Sequence, residues 1–406
     1  MAELEQIVFR TADTAVPARR QRVVTILGTR PEIIKCSPLL PRLDSLCEHT
    51  LIHTGQHYDD AMDGQFFREL GLRQPDHALA VGSGAHGAQV ARMLLGIEPI
   101  LQAVRPDWVL VQGDTNSTLA GALAAAKLGL PIAHLEAGCR SFNRAMPEEV
   151  NRVIVDHLAT LCLAPDDLAA RHLAAEGIAA EQIVVVGSTG VDACLRVATL
   201  PVAKDSTVSS TGDPCTDFAR GDFLLATIHR AENTTPERMT ALLGALAELS
   251  TFWPVVFPVH PRTAQLLRGL ERPAGVAFCE PFGYAQMMGL VRNCRGLLTD
   301  SGGLQEEAAV LGTPTFILRN ETEWQEFIDS GQHRLVGNER EPVVRAVLHA
   351  LDGGAVEARM RVPGGRKRAG AGERVLQALG IVDGISEHLT EVTEVVETRV
   401  FAGSLR

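Results

Sequence analysis

The chain has 406 residues, 46% of them hydrophobic and 21% charged, with 38 Lys+Arg against 49 Asp+Glu and a formal net charge of -11. At roughly 100–200 residues per domain, that length predicts two domains, each able to bury its own core. The apolar fraction excludes a disordered chain. The acidic balance excludes a general binder of nucleic acid or anionic membrane, although a local basic cleft can still hold an anion.

The chain opens on a polar extension, MAELEQIVFRTADTAVPARRQR, with no apolar run of signal-peptide length. No uninterrupted apolar stretch approaches the roughly 18–20 residues that span a bilayer, so a soluble cytoplasmic protein is expected. Arg22–Leu27 (RVVTIL) reads as the first strand. Thr50–His53, Trp108–Gln112, Pro131–Leu135 and Ile183–Val186 follow as strands, with helical patterns such as Thr118–Leu128 and Glu149–Leu161 between them. Near-continuous apolar strands alternating with helices predict a parallel sheet covered on both faces.

The pattern breaks at 201–220, PVAKDSTVSSTGDPCTDFAR, which reads as a linker. Strand signals resume at Phe223–Thr227, Val255–Val259, Val276–Cys279, Gly296–Thr299 and Thr315–Leu318. The expected fold is therefore α/β, with doubly wound domains over residues 1–200 and 221–372. A mobile loop over 363–372 leads to a short helix within 373–385 and a tail over 386–406. Eight cysteines, with no CxxC and no zinc-finger spacing, read as small buried hydrophobes in a reduced protein.

Ligands of open α/β sheets bind beyond the carboxyl ends of the strands, so the segments that follow strands carry the functional argument. Gly28-Thr29-Arg30-Pro31-Glu32-Ile33-Ile34-Lys35 follows the first strand. Its turn N–H groups, with the cations Arg30 and Lys35, suit an anion, the ordinary alternative being a turn with surface charges. Asp114 follows the strand WVLVQ and Glu136 the next strand, aiming two carboxylates at one cleft. Paired carboxylates split their pKa values and perform acid/base work. A third acidic group lies in Pro147-Glu148-Glu149-Val150-Asn151-Arg152. In the second half His229 and Arg230 follow a strand and suit a phosphate, while His260 reads as structural. The sharpest signal is Thr299-Asp300-Ser301-Gly302-Gly303, a strand-to-helix turn whose glycines admit a diphosphate. Glu306 or Glu307, one helical turn further, suits a ribose.

Several motifs are missing from the chain: GxxxxGK[ST], a DxD triplet, and YxxxK at either of the two tyrosines, Tyr58 and Tyr284. Sugar-nucleotide chemistry is thus expected to run without a redox cofactor or metal.

Together GTRPEIIK (28–35), TGQHYD (54–59), GDTNSTLAGALAA (113–125), HLEAGCRS (134–141), PEEVNR (147–152), HRAEN (229–233), PVHPR (258–262), EPFGY (280–284) and TDSGGLQEEA (299–308) closely resemble the non-hydrolysing UDP-N-acetylglucosamine 2-epimerase family. The resemblance runs from about residue 22 to about residue 380. It implies a GT-B fold of two Rossmann-like domains facing a cleft, with a C-terminal helix returning to the first domain. It also implies a homodimer, a UDP-sugar substrate and a place in polysaccharide biosynthesis. The implied reaction interconverts UDP-GlcNAc and UDP-ManNAc by elimination of UDP to 2-acetamidoglucal and readdition; a hydrolysing relative would release ManNAc and UDP, and another relative would act on a different nucleotide sugar or conjugate. By the same resemblance Asp114, Glu136 and Glu148 are the acid/base carboxylates, with Lys35, Arg152 and His229 beside them. Arg30, His229, Arg230, Ser301, Gly302 and Gly303 meet the diphosphate, Glu307 the ribose and Phe282 the uracil. The chain departs from the family in Thr322-Glu323-Trp324-Gln325-Glu326, where many members have TERPE, so that Arg319 becomes a candidate cation for the sugar.

Overall fold

A computed structural model describes residues 19–56, 66–199, 222–322, 325–351 and 370–382. The expected linker, tail and N-terminal extension, together with Tyr58 and Trp324, lie outside these residues.

Two parallel sheets form the scaffold. The first contains β1 (Arg22–Leu27), β2 (Glu48–His53), β3 (His77–Ala78), β4 (Trp108–Gln112), β5 (Ile132–Leu135), β6 (Leu161–Ala164) and β7 (Ile183–Val185), in the order β3-β2-β1-β4-β5-β6-β7. The second contains β8 (Leu224–Thr227), β9 (Val255–Pro258), β10 (Val276–Cys279), β11 (Gly296–Thr299), β12 (Thr315–Ile317) and β13 (His333–Leu335), in the order β10-β9-β8-β11-β12-β13. Both are doubly wound Rossmann-like sheets, and the pair is a GT-B arrangement. In each, the strand order reverses beside the first strand, between β1 and β4 and between β8 and β11. That switch point opens a crevice at the carboxyl ends of the strands.

Three strands escape the sequence pattern. β3 and β13 are too short and polar to alternate visibly. β6 begins at Leu161, the last residue of the helix expected over 149–161, and was not itself expected. That helix runs Pro147–Leu158 and stops because Ala159 is extended and the Thr160 N–H bonds the Ile132 carbonyl, drawing LCLA into the sheet. A short apolar run is compatible with either state.

The helices that build the site are numbered here in chain order: α1 (Arg30–Cys36), α2 (Asn116–Lys127), α3 (Pro147–Leu158), α4 (Thr189–Thr199), α5 (Tyr284–Asn293), α6 (Gly302–Leu311) and α7 (Ala371–Ala378). One continuous apolar cluster joins the two sheets. It holds Leu27, Leu110 and Leu135 from the first, Leu225, Val256 and Leu297 from the second, and Cys194, Val197, Val375 and Leu376 between them. α4 is its axis, packing on α1, α5, α6 and α7. The Asp192 carboxylate accepts the N–H groups of Gly370 (2.7 Å) and Gly372 (2.8 Å), and Arg42 pairs with Glu373 at 3.1 Å, tying α7 to the first half. Separate apolar clusters cover the outer face of each sheet. Cys36, Cys47, Cys139, Cys162, Cys194 and Cys294 are free, but Cys279 is disulfide-bonded, a correction to the reading of every cysteine as a reduced thiol. Spacing along a chain does not reveal pairing made in space.

Candidate active site

At the end of β1 the backbone is packed so closely that a Cβ on Gly28 would collide with the Ser117 and Thr54 hydroxyls. The next turn departs from the sequence reading. Its N–H groups do not wait for a ligand anion: the Glu32 carboxylate folds back onto them, accepting from Gly28 N at 2.8 Å and Thr29 N at 2.7 Å. Its other oxygen accepts the Thr115 hydroxyl at 2.7 Å and the Thr118 hydroxyl at 3.1 Å. Burial pushes the Glu32 carboxyl up against these hydrogen bonds. Glu32 thereby locks α1 to the start of α2, and Arg30 projects from the turn with its guanidinium 6.0 Å from the Phe66 ring centre.

β4 and β5 are paired, Gln112 opposite Leu135, so the residues just beyond them emerge side by side. Glu136 has a left-handed backbone, φ 64°, uncommon for a residue with a Cβ. Its carboxylate meets Lys35 Nζ at 2.7 Å and Gln112 Nε2 at 2.7 Å. Burial opposes the Lys35 ammonium, yet Glu136 and, further off, Glu306 hold it above its ordinary value. Asp114 pairs with Arg152, whose other arm reaches Glu149 at 2.8 Å. Glu149, not Glu148, is the buried acid of the PEE segment; Glu148 is exposed on the first turn of α3. Glu149 also accepts the N–H groups of Ser141 (3.0 Å) and Phe142 (2.9 Å). Despite burial, these donors and Arg152 bring its carboxyl down to about 2.

The second sheet organises its switch point around Asp300, which is fully buried at the end of β11. It accepts the backbone N–H groups of His229 (3.0 Å) and Arg230 (2.9 Å), the Asn233 amide (3.0 Å) and His229 Nδ1 (2.9 Å). Burial opposes the charge, but His229 and the other donors hold Asp300 below the usual carboxylate range. The His229 ring lies 5.4 Å from that of His260. Ser301 caps α6, accepting Leu304 N, while its own N–H bonds the Thr299 hydroxyl at 3.0 Å. Nothing lies within 4 Å of the position a Cβ would take on Gly303. One turn on, burial pushes Glu307 up to about 7, against a hydrogen bond from Tyr284 and the charge of Lys35. Phe282 packs at the edge of the shared core. Arg319, largely buried, lies 3.4 Å from Glu232. Among the described residues no group of three His, Cys, Asp or Glu side chains would hold a metal ion.

Against this geometry, the family pattern described as UDP-N-acetylglucosamine 2-epimerase matches residues 42–380. The chain belongs to the UDP-N-acetylglucosamine 2-epimerase family. It is 44% identical to a UDP-N-acetylglucosamine 2-epimerase of Methanococcus maripaludis, over 81% of this chain and 92% of that one. It is 40% identical to a UDP-2,3-diacetamido-2,3-dideoxy-D-glucuronate 2-epimerase of Pseudomonas aeruginosa, over 81% of this chain and 92% of the relative. A crystal structure of the Methanocaldococcus jannaschii UDP-GlcNAc 2-epimerase in complex with UDP-GlcNAc and UDP is similar at a TM-score of 0.69 and 40% identity, over 89% of this chain and all of that one.

Of the residues singled out in sequence, this family member brings Lys35 to Glu136 and Arg152 to Asp114, and sets His229 against the Asp300 that precedes Ser301. Lys35 lies within electrostatic reach of both Glu306 and Glu307, so the two halves meet at that side chain. Four residues were missed: Glu32, Gln112, Glu149 and Asp300. Asp300 had a usable signal, an acid between a strand end and a helix cap. The others act through partners that are distant in sequence or in the opposite half of a motif.

Proposed function

We propose that this epimerase interconverts UDP-GlcNAc and UDP-ManNAc. The observation that carries the reading is the pair Asp114 and Glu136, each beside a cation, just beyond the adjacent strands β4 and β5. In this reading one carboxylate removes the proton at C2. The C2–H electron pair becomes the C1–C2 double bond, the C1–O bond breaks, and UDP leaves with that bond's electrons. The other acid, with Glu148 as the third member of the set, returns a proton to the opposite face, and UDP re-adds at C1. The C2 proton is poorly acidic, so stabilising the departing diphosphate carries much of the barrier. Arg30, His229 and Arg230, with Ser301, Gly302 and Gly303 at the start of α6, hold it. His229 has Nδ1 engaged by Asp300, leaving Nε2 for the phosphate. Glu307 takes the ribose, Phe282 lines the uracil and Arg319 faces the sugar end.

A homodimer acting in the cytoplasm, supplying a sugar for polysaccharide synthesis, belongs to the same proposal. Among the described residues no helix is long and apolar enough to cross a membrane, and Leu95, 75% exposed, is an apolar side chain that a second copy would cover.

The test is to incubate the protein with UDP-GlcNAc in D2O and follow the sugar by NMR. Deuterium at C2 of intact UDP-GlcNAc and UDP-ManNAc is expected. Free ManNAc with UDP would replace the reading by hydrolysis, and turnover confined to a diacetamido uronate would move the substrate to that of the Pseudomonas relative.

A further inference from the structure

β5 carries a second ionisable side chain two residues before Glu136. His134 is fully buried, with Nδ1 2.6 Å from Asp156 Oδ1 and Nε2 2.8 Å from the Gly113 carbonyl oxygen. The Gly113 carbonyl can only accept. Asp156 is held as an anion: its other oxygen lies 2.6 Å from Arg140 and accepts the Gly138 N–H at 3.1 Å. A neutral imidazole has one N–H and one bare lone pair, so in this fully buried site it would set that lone pair against an acceptor. Only the imidazolium satisfies both contacts. Its charge is balanced in a chain of alternating sign that runs from the interior towards the surface, His134, Asp156, Arg140 and the partly exposed Glu176, the last two 2.7 Å apart. Burial disfavours the charged ring, but Asp156 outweighs it and raises His134 above its ordinary value.

The two backbone groups gripped by this chain flank the proposed acid/base pair. Gly113 immediately precedes Asp114, and Gly138 follows Glu136 by two residues. Gly113, Glu136 and Gly138 all have left-handed backbones, with φ of 73°, 64° and 82°. The two glycines adopt this conformation freely, whereas for Glu136, which carries a Cβ, it persists where the surroundings over-determine it.

We propose that His134 is a positioning residue, a permanently charged clamp that sets the turns presenting Asp114 and Glu136, directly through Gly113 and through Asp156 to Gly138. The inference rests on the acid/base reading of those two carboxylates. Two measurements test it separately from that reading. In His134→Gln, one donor and the charge are lost; C2 exchange should fall by about 100-fold, the effect of a misplacement near 1 Å. UDP affinity should stay within about twofold, because its proposed contacts lie on the other sheet or, for Arg30, on the turn after β1, and none is on the turns that His134 grips. Wild-type exchange in this variant would overturn the clamp. Should His134→Gln not fold, Asp156→Asn, which keeps shape but not charge, carries the same expectation. Independently of any substrate, 15N spectra of the histidine-labelled wild-type protein should show one of its 13 histidines with both ring nitrogens still protonated at a pH where histidines in the ordinary range have lost a proton. If none keeps both protons at that pH, the clamp is wrong, whatever the enzyme's substrate.

Discussion

Both sheets finish their first strand in a turn whose N–H groups are claimed by a buried carboxylate of the protein: Glu32 takes those of Gly28 and Thr29, and Asp300 those of His229 and Arg230. The difference lies in what is left over. In the first half the helix after β4 begins with Thr115 and Thr118 capping one another. Beyond the strand ends there, Glu136 is paired with Lys35, and Asp114 with Arg152, which it shares with Glu149. In the second half the helix after β11 begins with two glycines, with open space around Gly303, beside a histidine and an arginine. One scaffold thus yields two different helix starts, one sealed by side chains and one left open, and on the proposed function the first serves proton transfer and the second anion binding.

Breaking that division should have its largest effect on the first half. Asp114→Asn and Glu136→Gln preserve shape and remove the charge. Each is expected to lower C2 deuterium exchange by about 10³-fold, within the range for a lost general acid or base, with UDP affinity by calorimetry nearly unchanged. If either variant weakened UDP binding as much as it slowed exchange, the two surfaces would not be functionally separate.

Next in size is an opposition in how the halves respond to pH. Glu149 titrates at about 2 rather than 4.5, because the Ser141 and Phe142 N–H groups and Arg152 outweigh its burial. Its contribution is present above pH 4.5 and is lost as pH falls toward 2. Glu149→Gln should therefore cost about 2–3 kcal/mol at pH 7, seen as a lower Tm, and the gap should close in acid. Glu307 goes the other way. Burial raises it to about 7, so the fold favours its neutral form, and stability is lost as pH rises from 4.5 through 7. Glu307→Gln should raise Tm at pH 8, have little effect near pH 4.5, and weaken UDP binding. Shifts of the same sign in both variants would contradict the assigned causes.

How far the sequence foretold this arrangement depends on the range of each interaction. The apolar runs of β1, β4, β8 and β11 are local signals, and they locate both switch points and the residues beyond them. That the N–H groups of the GTRPE turn are taken by Glu32 was not legible, because this acid lies inside the motif and only the fold shows its carboxylate turned inward, leaving Arg30 as the turn's candidate for an anion. Glu148 and Glu149 are adjacent and chemically equivalent in sequence; the helical phase of α3, which buries one and exposes the other, separates them. His134 and Asp156 lie 22 residues apart on a strand and a helix, and nothing in their spacing announces a pair.

The smallest expected effect tests the open turn itself. Gly28 is required by the fold, since any side chain there meets Ser117 and Thr54. Gly303 is not: its surroundings are empty, and its backbone is ordinary helix at the second position of α6. Alanine is favoured over glycine inside a helix by about 0.5–1 kcal/mol, so Gly303→Ala should leave Tm unchanged or slightly raised. If the glycine is there to let a diphosphate approach the backbone, the same variant should bind UDP more weakly while exposing no defect in folding. Unchanged UDP affinity would mean that the diphosphate does not approach that atom. The anion surface would then rest on His229, Arg230 and the α6 N–H groups, and the second glycine would have no part in the contrast between the halves.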